Sequence, residues 1–297
     1  MVTEWSFPGL KSFIVVVWLQ YLFPKQAVTT VAGWLASARV GGLTTAFVRG
    51  FVGYFGVKME EALEPDVATY ATFNEFFTRA LAPNARPLAA ADYVCPVDGA
   101  ISQIGPIVGD QIFQAKGHQY STVALVGGDA SVAARFDHGT FATIYLSPKD
   151  YHRIHMPCDG RLLRMVHVPG DLFSVDPATA LRVPGLFARN ERVVCYFEGA
   201  TGPFLMVLVG ATIVGSMATV WHGLVNPPRS RSVRTWEYAE RDVRLRQGDE
   251  MGRFQLGSTV VLLFPKDQIE LNTHWTAARP VRMGEMMGVR PVVAIPH

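Results

Sequence analysis

From residue 93 onward the chain is a succession of short apolar runs separated by Gly, Pro and Asp: AISQIG, FATIYL, RLLRMVHV, RVVCYFE, FLMVLVGATIV and TVVLLF. Runs of this length and composition read as strands. With few helical stretches between them they favour antiparallel neighbours, because parallel strands need long crossovers. The expectation is an α+β chain with an antiparallel β-sheet or sandwich as its body. Of the 297 residues, 49% are apolar and 18% charged, a balance that builds a sizeable core.

Residues 1–62 have a different texture, rich in Trp, Phe, Val and Gly with few charges before Lys58. The run FIVVVWLQYLF, residues 13–23, is followed by Pro24-Lys25 and not by a small-residue cleavage site, so it does not read as a signal peptide. Its 11 residues fall short of the roughly 20 that a spanning helix needs. The segments VAGWLASARV and LTTAFVRGFVGYFGV read as short helices whose apolar faces are broad for a small soluble helix. Trp5, Trp18, Tyr21, Trp34 and Tyr54 are side chains of the kind that settle at headgroup level. Two readings follow: helices that cover the core of the body, or a module that lies on a bilayer without crossing it. We take the second, with 1–62 as an N-terminal membrane-associating module and 63–297 as the body.

Between them, TFNEFFTRAL at residues 72–81 carries capping-box spacing at Thr72 and Glu75 and reads as a helix that docks through Phe73, Phe76, Phe77 and Leu81. PNARPL, with Pro83 and Pro87, reads as a linker. The formal net charge of +2 does not point to a nucleic-acid partner. Cys95, Cys158 and Cys195 form no CxxC or zinc pattern, which fits a reducing compartment without a disulfide framework or metal site.

Three stretches hold polar residues that strand texture does not explain. In CPVDGAI, Asp98 precedes Gly99, by itself an ordinary Asp-Gly turn. In SPKDYHRIHMPCDG, His152 and His155 stand three apart, on one face of a helix or on opposite sides of an extended segment; imidazoles exchange protons near neutral pH. In LGST, Ser258 needs a base to become a nucleophile, and Asp98, His155 and Ser258 could supply orienting acid, base and nucleophile. One use of that set is a serine hydrolase acting on lipid esters, although the flanking residues are not GxSxG. Another electrophile is closer. Attack of the Ser258 hydroxyl on the Gly257 carbonyl would shift the acyl group from nitrogen to oxygen, and a Gly there offers least obstruction.

The stretches TFNEFFTRAL, PVDGAISQIG, QAKGHQYS, YLSPKDYHRIHMP, VPGDLFSV, LFARNERV, VGATIVGS and EMGRFQLGSTV occur in this order through most of the chain. Together they make it resemble the bacterial, pyruvoyl-dependent phosphatidylserine decarboxylases. Val97 departs from the Ala common in the PADG element of that family, with Asp98 untouched. The resemblance implies a proenzyme that cuts itself at Gly257-Ser258, with Asp98, His155 and Ser258 as the charge relay. It implies that Ser258 becomes a pyruvoyl group, which forms a Schiff base with phosphatidylserine and releases CO2 to give phosphatidylethanolamine, with His152 as proton donor. It also implies a β chain of residues 1–257 and an α chain of residues 258–297 that stay associated, admits a homodimer of processed units, and places the protein peripherally on the cytoplasmic face of the inner membrane. Arg49, Lys58, Arg229, Arg231 and Arg234 are then candidates to meet an anionic membrane surface, or plain solvated charges.

Overall fold

The computed structural model describes residues 25–115, 117–211, 216–226, 230–255 and 258–291. The run at residues 13–23, Gly257 and Arg229 lie outside them. The six apolar runs carry β1 (Gly99–Pro106), β2 (Thr140–Leu146), β4 (Gly160–Val168), β5 (Arg192–Gly199), β6 (Gly202–Val209) and β10 (Ser258–Phe264), and strands that the runs do not mark are β3 (Arg153–His155), β7 (Met217–Thr219), β8 (Arg234–Glu237), β9 (Glu250–Phe254) and β11 (Pro280–Val281). Among the described residues the main sheet has nine strands: β8, β4, β5, β6, β10, β2, β1 and β11 in spatial order, and Arg244–Leu245 beside β4. All its pairings are antiparallel, and β5 and β6 are joined by a two-residue turn at 200–201. A smaller antiparallel sheet holds β7, β9 and β3.

Strand β10 is central, between β6 and β2, and all seven of its residues are buried. Successive side chains point to opposite faces. Val261 and Leu263 enter one core with Leu205 and Val207 of β6, while Val260, Leu262 and Phe264 enter the other with Met206 and Leu208. A sheet covered on both faces needs no polar side, so TVVLLF is continuously apolar. Burying each such side chain is worth about 1.5–3 kcal/mol, enough over the strand to hold it in the sheet if its N-terminal end were cut free.

Three helices precede the sheets: α1 (Lys25–Ser37), α2 (Gly42–Phe55) and α3 (Phe73–Phe77). The cap at the start of α3 forms as the sequence predicts, with Thr72 Oγ1 accepting from Glu75 N at 3.1 Å, while the Glu75 carboxylate reaches one residue past the N-cap and accepts from Ala71 N at 2.9 Å. The helix stops at Phe77, short of the expected 81, because the chain is then drawn into strand-like pairing. Leu63 N donates to Ala80 O and Ala82 N to Glu61 O, both at 2.9 Å. Helix α2 buries Thr44 and Val48, and Phe51 packs edge-on against Phe73, Phe76 and Phe77. Its other face and that of α1 leave Trp34 72% and Tyr54 83% exposed, with Leu35, Leu43 and Phe47 also exposed. No described helix is long and apolar enough to cross a membrane.

Candidate active site

Four segments converge at one end of β10. Ser258 pairs with Leu146, the last residue of β2. The chain continues from Leu146 through the loop 147–152 into β3, where Phe254 N donates to His152 O at 3.0 Å and His155 N donates to Pro96 O at 2.9 Å. Asp98 follows Pro96 and leads into β1. Gly99 is more than a turn residue: a Cβ on it would stand 2.3 Å from the Tyr145 carbonyl oxygen, so only glycine lets this strand start so close to β2. The sequence-predicted Asp98, His152, His155 and Ser258 are thus brought together by their backbones. Their side chains are all buried, and no hydrogen bond joins Asp98, His155 and Ser258 into a chain.

Asp98 is committed elsewhere. Its carboxylate accepts from Arg86 Nε at 2.9 and 3.1 Å, from Arg86 Nη2 at 2.5 Å and from Met283 N at 2.9 Å. Arg86, within the segment that reads as a linker, also donates to Glu61 at 2.6 Å. The position expected to orient His155 is taken by a backbone carbonyl instead: His155 Nδ1 lies 2.7 Å from Gly248 O. A carbonyl only accepts, so Nδ1 carries the hydrogen and Nε2 has the free lone pair, which accepts from the Tyr151 hydroxyl at 2.9 Å. Gly248 is held at φ 84°, and a Cβ there would meet Leu88 at 2.5 Å. Burial pushes the His155 pKa down, while the Gly248 carbonyl and the charges of Glu250 and Asp98 pull it back.

His152 faces the opposite way, as an extended segment requires. Its ring stacks on Phe77 with centroids 4.0 Å apart, Nε2 donates to Ser147 O at 3.0 Å, and Nδ1 is buried without a partner among the described residues. Burial, with the charge of Arg79 adding to it, pushes its pKa down to about 3. Ser258 is fully buried and its Oγ has no partner among the described residues. Beside these groups lies a cleft of about 230 Å³, bordered by Lys58, Arg79, Arg86, Asp98, Lys149 and Tyr151 among others. Of the surface cations considered above, Lys58 borders it; Arg49 and Arg231 are exposed, and Arg234 lies over Trp236. Tyr151, Gly248, Arg79 and Arg86 are the participants that sequence reasoning missed. Tyr151, Arg79 and Arg86 sat inside stretches already singled out, Arg79 as part of a helix and Arg86 as part of a linker; Gly248 did not.

The family model described as Phosphatidylserine decarboxylase matches residues 73–289, and a second, described as PSD, matches residues 15–56. Among curated proteins, the phosphatidylserine decarboxylase proenzyme of Variovorax paradoxus (strain S110) is 70% identical over 268 residues, covering 90% of this chain and 95% of the relative. That of Methylibium petroleiphilum (strain ATCC BAA-1232 / LMG 22953 / PM1) is 68% identical over 277 residues, covering 93% and 98%. That of Acidovorax ebreus (strain TPSY) is 70% identical over 271 residues, covering 91% and 96%. The chain belongs to the phosphatidylserine decarboxylase family. The lipid-ester hydrolase reading finds no support among these relatives.

Proposed function

We propose that this chain is a phosphatidylserine decarboxylase made as a proenzyme, which cuts itself between Gly257 and Ser258 and then converts phosphatidylserine to phosphatidylethanolamine and CO2. The observation that carries the residue assignment is the fully buried, unpartnered Ser258 Oγ at the head of a fully buried strand. A group made from Ser258 fits there, because the new chain end stays anchored by β10 and an α chain of residues 258–297 remains in the sheet of the β chain, residues 1–257. The pyruvoyl carbonyl supplies a sink for the electron pair left by departing CO2. Intact mass of the purified protein tests the proposal, as argued in the Discussion.

In the first reaction Ser258 is the nucleophile and His155 Nε2 the base, with its tautomer set by Gly248 and its basicity supported by the charge of Asp98. Arg86 and Met283 N hold the Asp98 carboxylate in place. Tyr151 covers Nε2 and must yield it for the proton transfer. Its hydrogen bond favours neutral His155, so Tyr151→Phe raises the imidazole's proton affinity. The midpoint of self-cleavage against pH then moves upward by roughly half to one unit. Cleavage of freshly refolded chain, followed on gels across pH, reads this; an unmoved or lowered midpoint would remove Tyr151 from the reaction. In the second reaction His152 handles the proton.

The exposed face of α1 and α2 gives the substrate a route to the site. Residues 1–62 form a module that lies on the cytoplasmic face of the inner membrane, with Trp34, Leu43 and Tyr54 entering the headgroup layer. Processed units paired as a homodimer would present two such faces. Trp34→Ser with Leu43→Ser lowers partition onto phosphatidylserine-containing vesicles by roughly tenfold or more. Co-sedimentation measures it, and undiminished sedimentation would place the contact elsewhere.

A further inference from the structure

Arg79 borders the cleft and is 4% exposed, yet two of its donors are idle. Nη2 donates to Lys149 O at 3.3 Å and the guanidinium lies over the Phe76 ring, but Nε and Nη1 have no partner among the described residues. A guanidinium does not shed its proton, so this is a buried charge with an unmatched donor on each edge, and either can pair with the second hydrogen of Nη2 as a fork, a costly state to leave unfilled. The charged and titratable groups that act on it from a distance are Tyr70, Asp98, Asp150 and Glu61. Each is engaged: Asp98 and Glu61 by Arg86, Asp150 by Ser147 N and Oγ, and Tyr70 by Glu64 O. Around the cleft stand the cations Lys58, Arg79, Arg86, Lys149 and Arg282 against the carboxylates Glu61, Asp98 and Asp150. What the site lacks is an anion.

Resting on the substrate reading above, we propose that Arg79, with Lys58 and Lys149 beside it, is the receptor for the phosphodiester of the lipid headgroup. The headgroup carries two anionic groups, and the reaction distinguishes them. A fork clamped on the carboxylate would stabilise the ground state that the reaction must leave. The phosphodiester keeps its charge from substrate to product and can be held throughout. A guanidinium fork matches two phosphate oxygens. An anion on Arg79 also offsets the charge that opposes protonation of His152 next door.

The test uses processed wild-type, Arg79→Gln and Arg79→Lys proteins. Calorimetry gives their affinities for glycerophosphoglycerol, a phosphodiester without amine or carboxylate, and for 3-hydroxypropionate, a carboxylate without phosphate. Wild type binds glycerophosphoglycerol, Arg79→Gln loses at least roughly tenfold and Arg79→Lys an intermediate amount, while 3-hydroxypropionate is unaffected. KM for phosphatidylserine in mixed micelles rises by a similar factor in chains that still cut themselves. Should Arg79→Gln remain uncut, Arg79→Lys and Lys149→Gln carry the same comparison. Wild-type affinity for glycerophosphoglycerol in the variants overturns the proposal, as does a wild type that does not bind it, or a loss confined to 3-hydroxypropionate. A wild type that stays uncut or releases no CO2 would instead defeat the substrate reading.

Discussion

Ser258→Ala yields a single uncut chain with decarboxylase activity at background, whereas the wild type resolves into residues 1–257 and residues 258–297, the latter with a pyruvoyl end in place of serine. The substitution deletes the oxygen that attacks the Gly257 carbonyl and then departs with it in the elimination that turns residue 258 into the pyruvoyl group, so both reactions vanish together. It should do so without harming the fold. Ser258 Oγ makes no hydrogen bond among the described residues, so its loss leaves none of them unsatisfied. The backbone pairing of residue 258 with Leu146 does not depend on the side chain. Thermal stability of the variant should match that of uncut wild type within about 0.5 kcal/mol. Electrophoresis, intact mass and a melting curve check these points in one preparation. A cut Ser258→Ala chain would move the cleavage site. An uncut wild type whose Ser258 is labelled by a fluorophosphonate would restore the hydrolase reading.

The sheet was legible because strand formation leaves a local trace. Each apolar run carries a strand, and TVVLLF, apolar from Val260 on, is the one at the centre of the sheet, covered on both faces. The segment at 72–81 shows the limit of local reasoning: its cap formed as written, but pairing of residues 80–82 with 61–63 overrode the helical pattern beyond Phe77. At the site, residue types announced themselves and their contacts did not. Asp98 and His155 suggested a carboxylate–imidazole pair, yet the imidazole's hydrogen goes to a carbonyl 93 residues away in sequence. Every residue owns a carbonyl, so no side chain could have marked Gly248. Arg86 looked like linker and Arg79 like a helix residue, because nothing local records that one is met by two carboxylates and the other by none.

His152→Asn separates the two reactions: the chain still cuts itself, and CO2 release falls by roughly 10²–10⁴-fold, the usual worth of a positioned acid or base. Asparagine can still donate to the Ser147 carbonyl but has no proton to exchange near neutral pH. Imidazole does, and its state in the free protein is defined. Burial against Phe77 holds its pKa near 3, so it enters the cycle neutral, with a hydrogen on Nε2 and a bare Nδ1. Donation of a proton at that site therefore awaits a bound anion, which favours the imidazolium. The same depression is readable in stability, with no turnover needed. Between the ordinary value of 6.5 and the folded value of about 3, the unfolded chain binds a proton at His152 that the folded chain refuses. Its contribution is complete above pH 6.5 and is lost as pH falls toward 3, by about 1.4 kcal/mol per unit. His152→Asn lacks that component, so its stability declines less steeply with acid than the wild type's. Denaturant titrations from pH 7 to about pH 4 compare the slopes. Equal slopes would mean that His152 is not held neutral, and an uncut His152→Asn chain would move this residue from the second reaction to the first.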